Sequence, residues 1–250
     1  MARDKEFALS FGSEAAAYDQ GRPGYPLDAV EWLLSRAATD DGALPDVVDV
    51  GAGTGKFTTS LIGRATSVTA VEPDAQMRAR LASNLPGVLA VDGRAEAIPL
   101  GDDSADVVTV AQAWHWVDVD AASREVARIL RPGGVLALVW NIRDDTVDWV
   151  ARLGDIMGAS EAERYDSTTP PLGAPLTRDA HAEFRWSNSL DHDELIAMIT
   201  SRSYVIAMAE PDRAAMLARV EELLRTHPQL AGRDHYDMPY STRVTIAREF

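Results

Sequence analysis

Residues 47–57 read Val47-Val48-Asp49-Val50-Gly51-Ala52-Gly53-Thr54-Gly55-Lys56-Phe57, an apolar run broken by one aspartate and then by glycine at every second position. The pattern reads as a buried parallel strand, a backbone turn and the start of a helix. Glycines leave no Cβ in the way, so a ligand can lie against the main chain, and the N–H groups opening a helix offer an electropositive end. An ordinary strand-to-helix turn has the same local pattern. Two familiar ligand motifs fail on spacing. The G-x-G-x-x-G fingerprint needs glycine where Lys56 stands, and the P-loop needs glycine where Val50 stands and a hydroxyl where Phe57 stands. The remaining pattern is D-x-G-x-G-x-G over residues 49–55.

Downstream, residues 57–64 are expected as helix and 67–71 as a second strand closed by Glu72. In nucleotide-binding βαβ units an acidic residue about 20 positions past the glycine turn accepts hydrogen bonds from ribose hydroxyls, and Glu72 has that spacing. Residues 75–83 read as helix and 88–91 as a third strand, followed by Arg94-Ala95-Glu96-Ala97-Ile98-Pro99-Leu100. A fourth strand, 106–111, runs into Gln112-Ala113-Trp114-His115-Trp116. Ligands in open α/β sheets sit outside the carboxyl ends of the strands at the topological switch point, which puts Trp114, His115 and Trp116 at or beside the reaction zone. A helix over 121–130 stops at Arg131-Pro132-Gly133-Gly134, and a fifth strand over 135–140 delivers Asn141 to the ligand side.

The pattern then changes. Residues 147–157 are helical, 168–175 are proline-rich and cannot continue a helix, and 184–190 alternate like a strand. Asp191 opens a helix to about residue 199, followed by Ser201-Arg202-Ser203-Tyr204 and a long amphipathic helix over 211–225. Residues 238–248 have the β-branched content of a last strand. Ahead of the first strand, Tyr18, Arg22 and Tyr25 lie in a Gly- and Pro-rich stretch that precedes a helix over 27–38.

The 250 residues suit one α/β domain with an insertion, and no apolar run reaches the roughly 18 residues of a membrane span. Residues 1–12 carry charges and no apolar core, so a cytoplasmic protein is expected. Cysteine is absent, which removes thiolate nucleophiles and Cys-based zinc sites, and the five histidines form no H-x-x-x-H pair, so no metal is expected. A formal net charge of −15 argues against nucleic acid as a partner.

The D-x-G-x-G-x-G turn, with Glu72 and the following Pro73-Asp74-Ala75-Gln76-Met77, resembles class I methyltransferases that use S-adenosylmethionine, of the methyltransferase type 11 domain. Residues 18–26 resemble their Y-D-x-x-R-P-x-Y-P segment, which folds over the cofactor, and residues 93–100 resemble the stretch that flanks the adenine. Residues 112–118 resemble the Q-A-x-H-W-x-D variant of a subgroup that includes small-molecule enzymes related to the trans-aconitate methyltransferases. Many relatives carry aspartate where Arg94 stands.

The resemblance implies a Rossmann-like, seven-stranded, mostly parallel sheet with helices on both faces, an antiparallel last strand and a helical lid between strands six and seven. The chain is then a single domain over 1–250, with an N-terminal cap (1–38), a cofactor-binding core (46–141), a helical lid region (142–237) and the last strand (238–250). S-adenosylmethionine is the implied cofactor. Its contacts fall to Asp49, Gly51, Ala52, Gly53, Gly55, Glu72, Pro73, Ala95, Glu96, Gln112, Trp114, Tyr18 and Arg22. A small-molecule acceptor falls to Tyr25, Trp116, Asn141, Arg202 and Tyr204, with His115 as the candidate base. The rival readings are a non-catalytic S-adenosylmethionine-binding module and a nucleotide-dependent oxidoreductase, which the glycine spacing disfavours.

Overall fold

Valine-rich segments with both faces covered build the centre of the sheet. In a computed structural model, which describes residues 22–37, 42–158 and 168–249, β1 (Asp46–Val50), β2 (Ser67–Val71), β3 (Leu89–Val91) and β4 (Ala105–Ala111) run parallel. They are joined by β5 (Leu130–Arg143), β6 (Thr177–Leu190) and β7 (Tyr236–Arg248). The order is β3-β2-β1-β4-β5-β7-β6. β7 is antiparallel to both neighbours, so it alone reverses direction. The order switches between β1 and β4, and the crevice expected at such a point opens at their carboxyl ends.

Helices cover both faces. On one, Ala122, Val126 and Ile129 of α4 (Val119–Ile129) pack with Val48, Val108, Leu136 and Trp140 of the sheet. On the other, Ala29, Val30 and Leu33 of α1 (Leu27–Leu34) pack with Val47, Val107, Val139 and Ile246. A third apolar cluster belongs to the helical insertion. There α6 (His192–Thr200), α7 (Ser203–Ile206) and α8 (Glu210–Thr226), between β6 and β7, are joined by α5 (Asp148–Met157) from the β5–β6 connection, and together they close over Tyr236, Met238 and Tyr240 of β7. Asp191 caps α6 in a reciprocal capping box with Glu194. Among the described residues no helix is long and apolar enough to cross a membrane.

Several elements differ from expectation. β5 takes in residues 130–134, where a break was expected ahead of a strand over 135–140, and α1 ends at Leu34 rather than 38. The helix after the glycine turn, α2, is one turn, Thr58–Leu61, not residues 57–64. Thr59 Oγ1 and Ser60 Oγ donate to the carbonyls of Gly55 and Phe57 at 2.8 and 2.6 Å, and Gly63 takes φ +78°, so local bonding and the glycine end the helix early. β6 begins at Thr177 rather than 184. Its first half has the period-two burial of a strand, but Asp179, His181 and Glu183 line the solvent side, as suits a charged edge strand.

Candidate active site

The glycine turn follows β1 directly, with φ of +71° at Gly51, +59° at Gly53 and +91° at Gly55. Gly51 and Ala52 donate their N–H groups to the Val71 carbonyl at 2.8 and 3.2 Å, tying the turn to the end of β2. A Cβ on Gly51 would lie 2.8 Å from Ala113 Cβ, whereas one on Gly53 would meet nothing nearer than Met77 Sδ at 3.9 Å. Gly53 therefore borders open space, and its backbone is accessible to a ligand.

Asp49 is almost wholly buried beneath the turn. Thr58 Oγ1 and Thr109 Oγ1 donate to its two carboxylate oxygens at 2.6 and 2.9 Å. Burial outweighs these bonds and pushes its pKa up to about 6. Glu72 lies behind the turn. It accepts the N–H of Gly53 at one oxygen and that of Asp74 at the other, both at 2.8 Å, and burial raises its pKa as well. Asp74 in turn caps α3 (Ala75–Asn84) by accepting from Gln76 and Met77.

A cleft of about 600 Å³, solvent at its mouth included, opens at this point. Its floor is Asp49, Gly51, Ala52 and Gly53, and its walls include Gln112, Asn141, Arg22, Tyr25, Arg202 and Tyr240. Tyr25 sets its ring edge-on to Phe57, with centroids 4.8 Å apart. Gln112 holds a left-handed backbone, φ +57°, and its side-chain amide donates to the Asn141 carbonyl at 2.9 Å. Arg202 enters from the helical insertion and is only 8% exposed.

Other expected residues lie outside the cleft lining, Glu72 among them, since both of its oxygens are taken by backbone N–H groups instead of being free for ribose hydroxyls. Gly55 faces the core, where a Cβ would meet Leu85 Cδ1 at 2.8 Å. Trp114 is 1% exposed within the α4 face of the core, and its indole N–H donates to the Pro171 carbonyl at 2.8 Å. His115 and Trp116 follow it on a 3-10 turn with their rings in tilted contact at 4.6 Å. Burial and the nearby Arg22 guanidinium lower the His115 pKa to about 4, so its imidazole is neutral at physiological pH. Ala95 packs in the core. Glu96 accepts the Asp118 N–H at 2.9 Å at the start of α4, and the Pro73 carbonyl accepts from Arg78 at 3.3 Å. Tyr204 packs against the helical cluster. Tyr18 lies outside the described residues.

The lining also holds residues that sequence reasoning passed over: Pro23, Thr54, Lys56, Phe57, Ala111 and Tyr240. The period-two run Tyr236, Met238, Tyr240, Thr242 along β7 was the available signal for Tyr240, whose ring stacks on Trp186 at 5.2 Å. Among the described residues no group of three or more His, Asp or Glu could hold a metal ion.

Residues 48–138 match the family described as "Methyltransferase domain". An uncharacterized methyltransferase of Mycobacterium tuberculosis is 46% identical over 246 residues, 97% of this chain and 98% of its own. An uncharacterized methyltransferase-like protein of Schizosaccharomyces pombe is 31% identical over 244 residues, 93% of each chain. A solved structure described as a type II methyltransferase from Anaeromyxobacter dehalogenans superposes with a TM-score of 0.70 at 26% identity, covering 91% of this chain and 97% of that one. The chain belongs to the class I methyltransferase family, and it is an S-adenosylmethionine-dependent methyltransferase. The family implies S-adenosylmethionine as methyl donor. The residues present fit it: the backbone beside Gly53 is open to the cleft, and the Asp49 carboxylate on the floor matches a ligand carrying an amino group.

Proposed function

We propose that the cleft is the methyl-transfer site, with the cofactor's methionine part over Asp49 and the glycine turn and a small-molecule acceptor under the helical insertion, methylated on oxygen or nitrogen. The observation that carries this reading is convergence. The turn after β1, the end of β4, Asn141 of β5, Tyr240 of β7, the segment at Arg22 and Tyr25, and Arg202 from the insertion all line one cleft. When bound, S-adenosylmethionine supplies a methyl group already activated by its sulfonium.

The protein's part is then to orient the acceptor and exclude water. Asp49 accepts the cofactor's amino group in its ionised form. Arg22 and Arg202 present guanidinium groups to the cleft, which suits a carboxylate acceptor held by charge-assisted bonds, and such an acceptor needs no base. For a hydroxyl or amine acceptor the candidate base is His115, whose neutral imidazole lies beside the cleft-lining Arg22 rather than in the lining itself, so an acceptor would have to reach past Arg22 to meet it.

Calorimetry with S-adenosylmethionine, followed by incubation with methyl-labelled cofactor and fractionated cell extract, tests the reading. Label in a small-molecule fraction is the expected result. Failure to bind the cofactor, or label confined to macromolecules, overturns it.

A further inference from the structure

A directional chain of hydrogen bonds crosses the sheet behind the cleft. The Trp186 indole N–H on β6 donates to Thr242 Oγ1 at 2.8 Å. Thr242 Oγ1 on β7 donates to Asn141 Oδ1 at 2.6 Å. Asn141 Nδ2 on β5 donates to the Gly24 carbonyl at 2.8 Å. The direction is forced at both ends, because an indole only donates and a carbonyl only accepts. The middle position needs a side chain that accepts on one arm and donates on the other, which an amide does and a carboxylate does not. Thr242 is fully buried and Asn141 nearly so. The chain ends at Gly24, between Arg22, Pro23 and Tyr25, which all line the cleft. Asn141 also fixes the opposite wall, since its own carbonyl takes the Gln112 side-chain amide.

We propose that Thr242 and Asn141, with Trp186, are positioning residues that hold residues 22–25 as one wall of the cleft, so that the far edge of the sheet determines how tightly the cofactor site binds. The proposal rests on the reading of the cleft as the methyl-transfer site. Trp186 also stacks on Tyr240 and packs with the helical insertion, so the same chain joins the insertion to the N-terminal wall.

Three near-isosteric variants test it: Thr242→Val, which removes both bonds of the hydroxyl; Asn141→Asp, which keeps the bond from Thr242 but turns the Gly24 donor into an acceptor; and Trp186→Phe, which keeps an aromatic ring but not the N–H. The probe is S-adenosylhomocysteine, by calorimetry on the full chain. Thr242→Val and Asn141→Asp are expected to weaken binding about tenfold, and Trp186→Phe, which removes only the outermost donor of the chain, by less. A second readout follows the wall directly. Hydrogen exchange across residues 22–25 should quicken, and the His115 pKa, followed by NMR, should rise as Arg22 leaves its side. Folded variants with wild-type affinity, unchanged exchange and an unchanged His115 pKa would overturn the proposal. If the wild-type chain binds no S-adenosylhomocysteine, the methyl-transfer reading fails, and exchange and the His115 titration still decide whether this chain holds the wall.

Discussion

Glu72 accepts the backbone N–H of Gly53 at 2.8 Å, so the carboxylate at the end of β2 is built into the glycine turn at the end of β1. The turn is therefore held from behind as well as by its own glycines. In Glu72→Ala the buried N–H of Asp74 loses its acceptor, at about 1–3 kcal/mol, and the part-buried N–H of Gly53 loses one that water can replace from the cleft side. Cofactor binding should be lost at temperatures where the variant is still folded by circular dichroism. Retained wild-type affinity in calorimetry would exclude Glu72 from the site.

Asp49 gives a pH prediction. Its folded pKa of about 6 lies above the ordinary carboxyl value of 3.8, so its contribution to stability is fully present below about pH 4 and lost as pH rises through 6. Binding has the opposite sign if the ionised carboxylate takes the cofactor's amino group. Ionisation near pH 6 then makes affinity about tenfold weaker at pH 5 than at pH 7. Titrations in buffers of different ionisation enthalpy should show proton release on binding near pH 6. Asp49→Asn should bind weakly and without this pH dependence.

Gly53 and Gly55 should separate function from folding. Both hold positive φ, so alanine costs about 1–2 kcal/mol of backbone strain at either. At Gly55 the new methyl also meets Leu85 and Leu81, and Gly55→Ala should show the larger loss in Tm. Gly53→Ala has room on the protein side and projects toward the cleft, so its main effect should be on cofactor affinity. Equal affinity losses in the two would contradict this assignment.

Arg202 reaches the cleft from the helical insertion, apart from the glycine turn. Arg202→Gln should lower methyl transfer to the acceptor at least tenfold, about 1.4 kcal/mol or more, while leaving S-adenosylmethionine affinity within twofold. A matching loss in cofactor affinity would move Arg202 to the cofactor's side of the cleft.

The glycine turn and the Glu72 carboxylate were legible because each is set by backbone geometry within one βαβ unit. Side-chain direction was less so. Trp114, His115 and Trp116 are consecutive on a 3-10 turn, where side chains diverge by about 120°, so the three cannot all face one cavity, and Trp114 turns into the core. Arg202 and Tyr204 are two positions apart at the start of a helical turn, about 200° around its axis. One reaches the cleft and the other packs with the insertion. Tyr240 and Thr242 were legible as one face of the last strand but not as neighbours of the cleft: that comes from pairing β7 with β5, about a hundred residues earlier in the chain, and local pattern carries no trace of such a partner.

The placement of β7 between β5 and β6 also bears on how the molecule assembles. β5 and β6 precede it in the chain but cannot meet, because the slot between them belongs to a strand that comes after the helical insertion. Closing a loop of this size is entropically costly and slow. Tyr240 and Thr242 arrive only when that slot is filled. Half of the sheet can form early around β1 and β4, yet competence to bind should appear late, in the same kinetic step that zips β7 into place.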